Sequence, residues 1–208
     1  MTDNTPQRLQ AFWNERYAGA DYAYGTAPNE FLVSCLAKLP PRGRVLCLAD
    51  GEGRNGVWLA QQGFDVTSVD IADAGLRKAR ALADHAGVTL ATVQADVTGF
   101  DLGNAAWDAI VSIFLHLPAP ARRALHARCA AALKPGGVFV FEAYTPEQVA
   151  YASGGPVKEP ALLVTLAEVA TEFPGCRVEH RFSGERRVVE GTLHHGVAHV
   201  AQLVARRD

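Results

Sequence analysis

Hydrophobic and polar residues follow one another along this chain in two different patterns. Short apolar runs without polar alternation predict buried parallel strands, and stretches with apolar residues three or four positions apart predict helices. Between residues 44 and 141 the two patterns take turns, with strands predicted at 44–49, 64–69, 88–94, 107–114 and 138–141 and helices at 54–62, 73–85 and 119–133. Such alternation is typical of a parallel sheet with helices on both faces.

The two ends of the chain break this alternation. Helices are predicted at 6–18 and 30–39, the second capped by Asn29, and a Gly- and Pro-rich loop at 144–160 precedes a helix at 161–171. Two long strands follow at 177–189 and 195–205. Because their connection is short, these two strands must run antiparallel.

The fold class that these elements predict is α/β. We expect a single domain over residues 1–208, in which 1–40 form a helical N-terminal cap and 41–208 form the sheet core. The core is expected to be a Rossmann-like doubly wound sheet, mostly parallel, that ends in an antiparallel C-terminal hairpin. A length of 208 residues, with 49% hydrophobic and 20% charged residues, suits one globular domain.

Composition and charge narrow the classes of partner. The formal net charge of −2 gives no basic surface for a nucleic acid. No run approaches 18 consecutive apolar residues, and the polar first ten residues do not resemble a secretory signal. We therefore expect no membrane contact and a cytoplasmic location. The four cysteines have neither disulfide nor zinc spacing and are expected to be buried free thiols.

A glycine-rich turn between the first strand and the following helix is the strongest functional signal. It contains Gly51, Gly53 and Gly56 in a G-x-G-x-x-G pattern, and Asp70 ends the next strand. Glycines let the backbone bend sharply and let a ligand approach closely. A carboxylate at the end of the second strand can accept hydrogen bonds from both ribose hydroxyls. The pattern predicts an adenosine-containing ligand, with Asp70 facing water when that ligand is absent.

Further motifs distinguish between adenosine-containing ligands. Asp96 and Val97 follow the third strand, an L-K-P-G-G turn at 133–137 precedes the fifth, and the sheet is predicted to end in an antiparallel hairpin. With these features the chain resembles the class I S-adenosylmethionine-dependent methyltransferases. The resemblance implies S-adenosylmethionine as the cofactor. The residues that it implies for cofactor binding are Trp13, Tyr24, Asp50, Gly51, Gly53, Asn55, Asp70, Ile71, Asp96, Val97 and Phe114.

The segments at 12–17, 24–32 and 51–55 narrow the resemblance to the tellurite-resistance and thiopurine methyltransferase-like branch. The chain departs from the family on its first strand, where Cys47 replaces an acid and Ala49 replaces a glycine. A thiol is a weak hydrogen-bond acceptor, so the cofactor's ammonium lacks its usual acidic neighbour. We hypothesise that Asp50 supplies this missing charge.

The acceptor is expected past the carboxyl ends of the fourth and fifth strands, where loops carry the chemistry of doubly wound folds. His116 and Tyr144 are the predicted catalytic residues, and Arg54 and Tyr151 are predicted to bind the substrate. The branch resemblance implies a small-molecule acceptor, such as a thiol or a chalcogen oxyanion. The aromatic residues between 12 and 31 are predicted to cover the cofactor as a lid.

Two other functions remain open at this point. An NAD(P)-dependent oxidoreductase also has a glycine turn and a strand-end acid, but it predicts nicotinamide binding and no antiparallel final strand. A non-catalytic adenosylmethionine-binding module predicts cofactor binding without turnover. We expect no metal, because His194, His195 and His199 have no carboxylate at ligand spacing. The sequence leaves the oligomeric state open.

Overall fold

A seven-stranded sheet forms the centre of the computed structural model, which describes residues 5–151, 153–155 and 159–208. Its strands in chain order are β1 (Arg44–Leu48), β2 (Asp65–Asp70), β3 (Ala91–Gln94), β4 (Trp107–Ile113), β5 (Leu133–Tyr144), β6 (Cys176–Glu190) and β7 (His194–Arg207). The order across the sheet is β3-β2-β1-β4-β5-β7-β6. The first five strands are parallel, and β7 is antiparallel to both β5 and β6. The predicted fold class, including the C-terminal hairpin, is confirmed.

Helices connect the strands and precede the sheet. They are α1 (Pro6–Arg16), α2 (Glu30–Ser34), α3 (Arg54–Gln61), α4 (Asp73–Ala86), α5 (Ala119–Ala132) and α6 (Leu166–Val169). Within the described residues, none of the helices is long and apolar enough to cross a membrane.

Strand β1 shows why helices pack on both faces of the sheet. Leu46 and Leu48 lie in an apolar cluster with residues of α5, and Val45 and Cys47 lie in a second cluster with residues of α2 and α3. Because successive side chains of a strand point to opposite faces, an uninterrupted apolar run is buried on both sides. Cys47, at the position where the resemblance implies an acid, is therefore a core side chain.

Two predicted helix caps have different outcomes. Asn29 accepts a hydrogen bond from the backbone N–H of Leu32 and caps α2 as predicted. The predicted cap Asp73 instead lies inside the first turn of α4, which begins after Ala72. A side chain from α1 takes over the capping role, because Oδ1 of Asn14 accepts from the N–H of Ala74 at 2.9 Å. This hydrogen bond joins α1, in the N-terminal segment, to α4, which packs on the sheet.

The predicted helix at 161–171 is confirmed only in its second half, where α6 covers Leu166–Val169. The chain forms one 3-10 turn at Pro160–Leu162 and then an extended piece, in which the N–H of Val164 donates to the carbonyl of Tyr144 at 3.1 Å. Helix α6 begins only after Thr165, which forms a capping box with Glu168. Apolar residues in this segment are buried against the sheet, and tertiary packing outweighs the local helical pattern. The predicted loop at 144–160 includes residues 152 and 156–158, which lie outside the described residues.

Candidate functional site

The glycine turn and Asp70 meet at the carboxyl end of the sheet. Oδ2 of Asp70 accepts a hydrogen bond from the N–H of Gly51, and Oδ1 accepts one from the N–H of Ala72, both at 2.8 Å. The expectation that this carboxylate faces water is wrong, because Asp70 is only 4% exposed. Burial raises the pKa of Asp70, and the backbone donors offset part of this effect. Each oxygen retains a second lone pair for a ligand.

The turn itself has an unusual backbone. Ala49, Gly51 and Gly53 all have positive φ angles, of 49°, 58° and 85°. Ala49 stands where the family has a glycine, and a side chain with positive φ costs roughly 1 kcal/mol. A Cβ atom on Gly51 would lie 2.7 Å from the hydroxyl of Tyr17. The turn therefore needs a glycine at position 51 for both its conformation and its close neighbour.

The N-terminal cap covers this turn with aromatic rings. Tyr17 is buried against Ala72 and Ala74, and Trp13 stacks on it with ring centroids 5.6 Å apart. Tyr24 meets Tyr17 edge-on at 6.4 Å. Trp13 and Tyr24 are thus in the place where the sequence predicted a cover for the cofactor. Tyr17, another of the aromatic residues predicted to form this cover, lies against Gly51 of the turn.

Residues after β2 and β3 form a second part of the same edge. The N–H of Ala95 donates to the carbonyl of Asp70 at 3.0 Å, which joins the two strand ends. Ile71 is half-buried, Val97 is buried, and the Asp96 carboxylate accepts from the N–H of Thr98 at 2.8 Å. Two carboxylates and two apolar side chains therefore lie at adjacent strand ends, as a ribose and a purine require.

At least one carboxylate oxygen of Asp50 is hydrogen-bonded inside the protein. Oδ2 accepts hydrogen bonds from Oγ of Ser68 at 2.5 Å and from the N–H of Gly56 at 3.2 Å. Burial, aided by the charge of Asp70, raises the pKa of Asp50 to about 7. A carboxyl that is half protonated at neutral pH is a weaker counter-charge for an ammonium than the hypothesis assumed.

We expect Asp50→Asn to stabilise the ligand-free protein above pH 7 and not at pH 4. The folded state holds the Asp50 proton up to about pH 7, whereas the unfolded chain releases it near pH 4. Stability therefore falls as pH rises through this window, and the amide escapes that loss, on the order of 2 kcal/mol. Denaturant unfolding at both pH values measures the gain. Asp84→Asn, on an exposed carboxylate, is the control, and an equal gain at pH 4 and pH 8 would contradict the assignment.

Arg54 and Asn55, at the start of α3, are engaged by other parts of the protein. Oδ1 of Asn55 accepts from the N–H of Asn29 at 2.9 Å. A guanidinium nitrogen of Arg54 lies 2.7 Å from Oε2 of Glu190, and both side chains are buried. The structure therefore gives these two residues structural contacts, and their predicted roles in substrate and cofactor binding stay predictions.

Glu190 belongs to a buried network of alternating charges. Glu142, on the interior strand β5, is fully buried and accepts from Nε of Arg186 at 2.6 Å. Arg186 also lies 3.3 Å from Oε1 of Glu190, which in turn pairs with Arg54. Burial alone would raise the pKa of Glu190, but His194, Arg54 and Arg186 hold it at about 2. The sequence signal for this network is the single acid in the apolar run 138–144.

Four rings meet where β4 and β5 end, and we call them the aromatic cluster: Phe114, His116, Tyr144 and His194. Tyr144 stacks on Phe114 with ring centroids 4.5 Å apart and on His116 at 5.6 Å. His194 meets Phe114 edge-on at 5.0 Å and Tyr144 at 5.5 Å. The predicted residues Phe114, His116 and Tyr144 are thus brought together. His194 was assigned no role in the sequence, because it lies 50 residues from Tyr144 along the chain.

Tyr151 lies outside the aromatic cluster. Its hydroxyl donates to Oε1 of Glu185 at 2.5 Å, and the hydrogen bond is exposed. Among the described residues, no three His, Cys, Asp or Glu side chains are grouped as metal ligands. Nδ1 of His199 lies 2.6 Å from Oγ1 of Thr145, and His195 is exposed.

Comparisons with known proteins agree with this geometry. A profile of the methyltransferase domain matches residues 45–137. A ubiquinone biosynthesis O-methyltransferase from Alkalilimnicola ehrlichii is 34% identical over 115 residues, which cover 54% of this chain and 45% of that protein. The chain spans about half the length of the curated relatives it matches.

Two solved structures share the fold at low identity. TehB from Haemophilus influenzae aligns with a TM-score of 0.72 and 17% identity, over 96% of this chain and 67% of that one. The N-methyltransferase NodS from Bradyrhizobium japonicum, in complex with S-adenosyl-L-homocysteine, aligns with a TM-score of 0.71 and 14% identity, over 95% and 97%. Residues 45–137 of this chain are similar to methyltransferase domains, and the chain shares its Rossmann-like fold with these two solved structures.

Proposed function

We propose that this protein is an S-adenosylmethionine-dependent methyltransferase that acts on a small-molecule acceptor. The observation that carries the proposal is the placement of Asp70 beside the Gly51–Gly53 turn, with Asp96 after the neighbouring strand. A carboxylate with one free lone pair on each oxygen can accept from two vicinal hydroxyls, which is the pattern of a ribose. The methyltransferase domain profile over residues 45–137 supports this assignment.

The residues of the site fit the cofactor by their chemistry. Asp70 would hold the ribose, Ile71 and Val97 would flank the adenine, and Asp96 would accept from its amine. Gly51 would let the cofactor approach the backbone. When bound, S-adenosylmethionine supplies an activated methyl group. The task of the protein is then to place an acceptor in line with that group and to exclude water.

The aromatic cluster supplies the place for the acceptor. Its rings lie where β4 and β5 end and β7 begins, at the same edge of the sheet as Asp70. These rings are buried or half-buried, so an acceptor held among them is shielded from water. The tellurite-resistance and thiopurine methyltransferase-like branch remains part of the proposal, supported by the fold of TehB and by the motifs at 12–17 and 51–55.

We expect S-adenosylhomocysteine to raise the melting temperature and NAD and NADP to leave it unchanged. Any ligand of the folded state stabilises it by about 2.7 kcal/mol at a hundredfold excess over its dissociation constant. A thermal-shift series with the three compounds measures the effect. Adenosine alone is the matched control, since it keeps the ribose and the adenine and lacks the amino acid. Stabilisation by NAD alone would favour the oxidoreductase instead.

A further inference from the structure

The aromatic cluster contains buried polar atoms that lack hydrogen-bond partners within the described residues. They are Nε2 of His116 and the hydroxyl of Tyr144. The large majority of buried side-chain polar atoms in proteins are paired, and leaving one unpaired is costly. Two such atoms in one cluster, at the strand ends where the acceptor is expected, indicate a missing polar ligand.

His194 lies next to a carboxylate, whereas His116 lies next to a backbone carbonyl. Nδ1 of His194 lies 3.5 Å from Oε2 of Glu190, at the outer limit of a hydrogen bond. Hydrogen bonds of catalytic groups are often this long until substrate binds. With its proton on Nδ1 facing Glu190, the ring keeps the Nε2 lone pair for a ligand. Glu190 is itself fixed by Arg54 at 2.7 Å and by Nδ2 of Asn29 at 2.8 Å.

We propose that His194 is the general base of the methyl transfer, oriented by Glu190 as its positioning residue, and that the acceptor is an uncharged group bearing a proton, such as a hydroxyl or a thiol. This inference rests on the proposed function. The acceptor atom bonds to the methyl carbon while the carbon–sulfur bond breaks, and the electron pair of that bond stays on sulfur. The proton of the acceptor passes to Nε2 of His194, and the Glu190 carboxylate stabilises the imidazolium.

The surroundings of His194 suit a base. The titratable and charged groups that face it are Glu190 on β6, Arg54 on α3, Arg16 on α1, Tyr24, and His116 and Tyr144 of the cluster. Burial lowers the pKa of His194, and Glu190 opposes this effect. The ring is therefore neutral at pH 7 and able to take a proton.

His116 is less suited to the same role. Its Nδ1 lies 3.2 Å from the carbonyl of Leu162, which holds the ring but gives an imidazolium no full negative charge. Burial lowers the pKa of His116 to about 4. An orienting role for His116 fits these contacts better than proton transfer.

The charges near the cluster favour an uncharged acceptor over an oxyanion. Arg54 pairs with Glu190, and Arg186 pairs with both Glu142 and Glu190. Arg54 and Arg186 are therefore balanced by two buried carboxylates, and Arg16, the other cation that faces His194, is directed at the hydroxyl of Tyr24. A buried anion without a cation of its own is strongly disfavoured. Of the two acceptor classes that the resemblance implies, the thiol thus fits the site better than the chalcogen oxyanion.

Two thiols of different acidity test the base directly. Methyl transfer from S-adenosylmethionine is measured with 2-mercaptoethanol, which is largely protonated at neutral pH, and with 4-nitrothiophenol, which is already ionised. We expect His194→Gln to lower the rate with 2-mercaptoethanol by about 10²–10⁴-fold, the usual contribution of a general base. The wild type should methylate 4-nitrothiophenol slowly, because the site supplies no cation for its anion, and His194→Gln should lower that rate less than tenfold. An equal loss with both thiols would overturn the proposal.

Two controls separate this inference from the proposed function. His195→Gln changes the exposed neighbouring histidine and should leave both rates within twofold of the wild type. Calorimetric titration with S-adenosylhomocysteine should give the same affinity for the wild type and for His194→Gln. Failure of the wild type to bind S-adenosylhomocysteine would instead refute the proposed function.

A second measurement needs no acceptor. Nitrogen NMR of the labelled full chain reports which ring nitrogen of His194 carries the proton. We expect the proton on Nδ1 in the wild type and a loss of this preference in Glu190→Gln. A wild-type ring with its proton on Nε2 would overturn the proposal, because Nε2 would then have no lone pair to accept a proton.

Discussion

Replacing Glu142 by alanine is expected to lower the free energy of unfolding by about 3–5 kcal/mol. Glu142 is fully buried on β5 and accepts from Nε of Arg186 at 2.6 Å. Its removal leaves a mostly buried guanidinium without its closest carboxylate, and a lone buried charge costs far more than a buried pair gains. Glu190 lies 3.3 Å from Arg186 and compensates only in part, because it also pairs with Arg54.

Urea unfolding of the Glu142→Ala variant measures this loss. Glu185→Ala is the matched control, since Glu185 is an exposed glutamate of the same sheet, on β6, and we expect little change from it. Glu142→Gln keeps the shape and one acceptor and should fall between the two. If Glu142→Ala lowers the free energy of unfolding by less than about 1 kcal/mol, water must solvate Arg186, and the network does not need Glu142 to compensate its charge.

Asp70→Asn is expected to weaken the binding of S-adenosylhomocysteine at least tenfold. Hydrogen bonds to a charged group contribute roughly 1.5–3 kcal/mol each, and the amide loses the charge and one of the two accepting oxygens. Asparagine is preferable to alanine here. Asp70 also accepts from Gly51 and Ala72, so alanine would leave two buried N–H groups without an acceptor.

Calorimetric titration of the variant measures the affinity, and a melt of the same sample shows whether the fold is kept. Asp73→Asn is the control, because Asp73 lies only three residues away and its side chain is 42% exposed. Unchanged affinity in Asp70→Asn would show that Asp70 does not bind the ribose, and the proposed function depends on that contact.

The parts of the fold that the sequence predicted well are local in character. The run at 44–49 and the glycines after it specify a buried strand and a tight turn from neighbouring residues alone. The antiparallel end of the sheet followed from a short connection between β6 and β7. The position of Asp70 was also predictable from its neighbours. It ends a strand, and the carboxyl ends of parallel strands all lie at one edge of the sheet.

The parts that the sequence did not predict depend on distant contacts. Arg54 and Glu190 pair across 136 positions of the chain, and no local pattern marks them as partners. His194 was considered only as a metal ligand, since its neighbours in the sequence are histidines and its neighbours in space are Tyr24, Phe114 and Tyr144. The helix predicted at 161–171 forms only at 166–169, because the residues before it pack against β5 instead.

A crystal structure of the complex with S-adenosylhomocysteine tests the central claim most directly. The account predicts the ribose hydroxyls within hydrogen-bond distance of the Asp70 carboxylate, the adenine between Ile71 and Val97, and the sulfur facing Phe114. Asp70 should keep its bond from the N–H of Gly51. A ligand bound elsewhere, for example in the surface depression lined by Thr26, Trp58 and His85, would contradict the account, as would a ribose that makes no contact with Asp70.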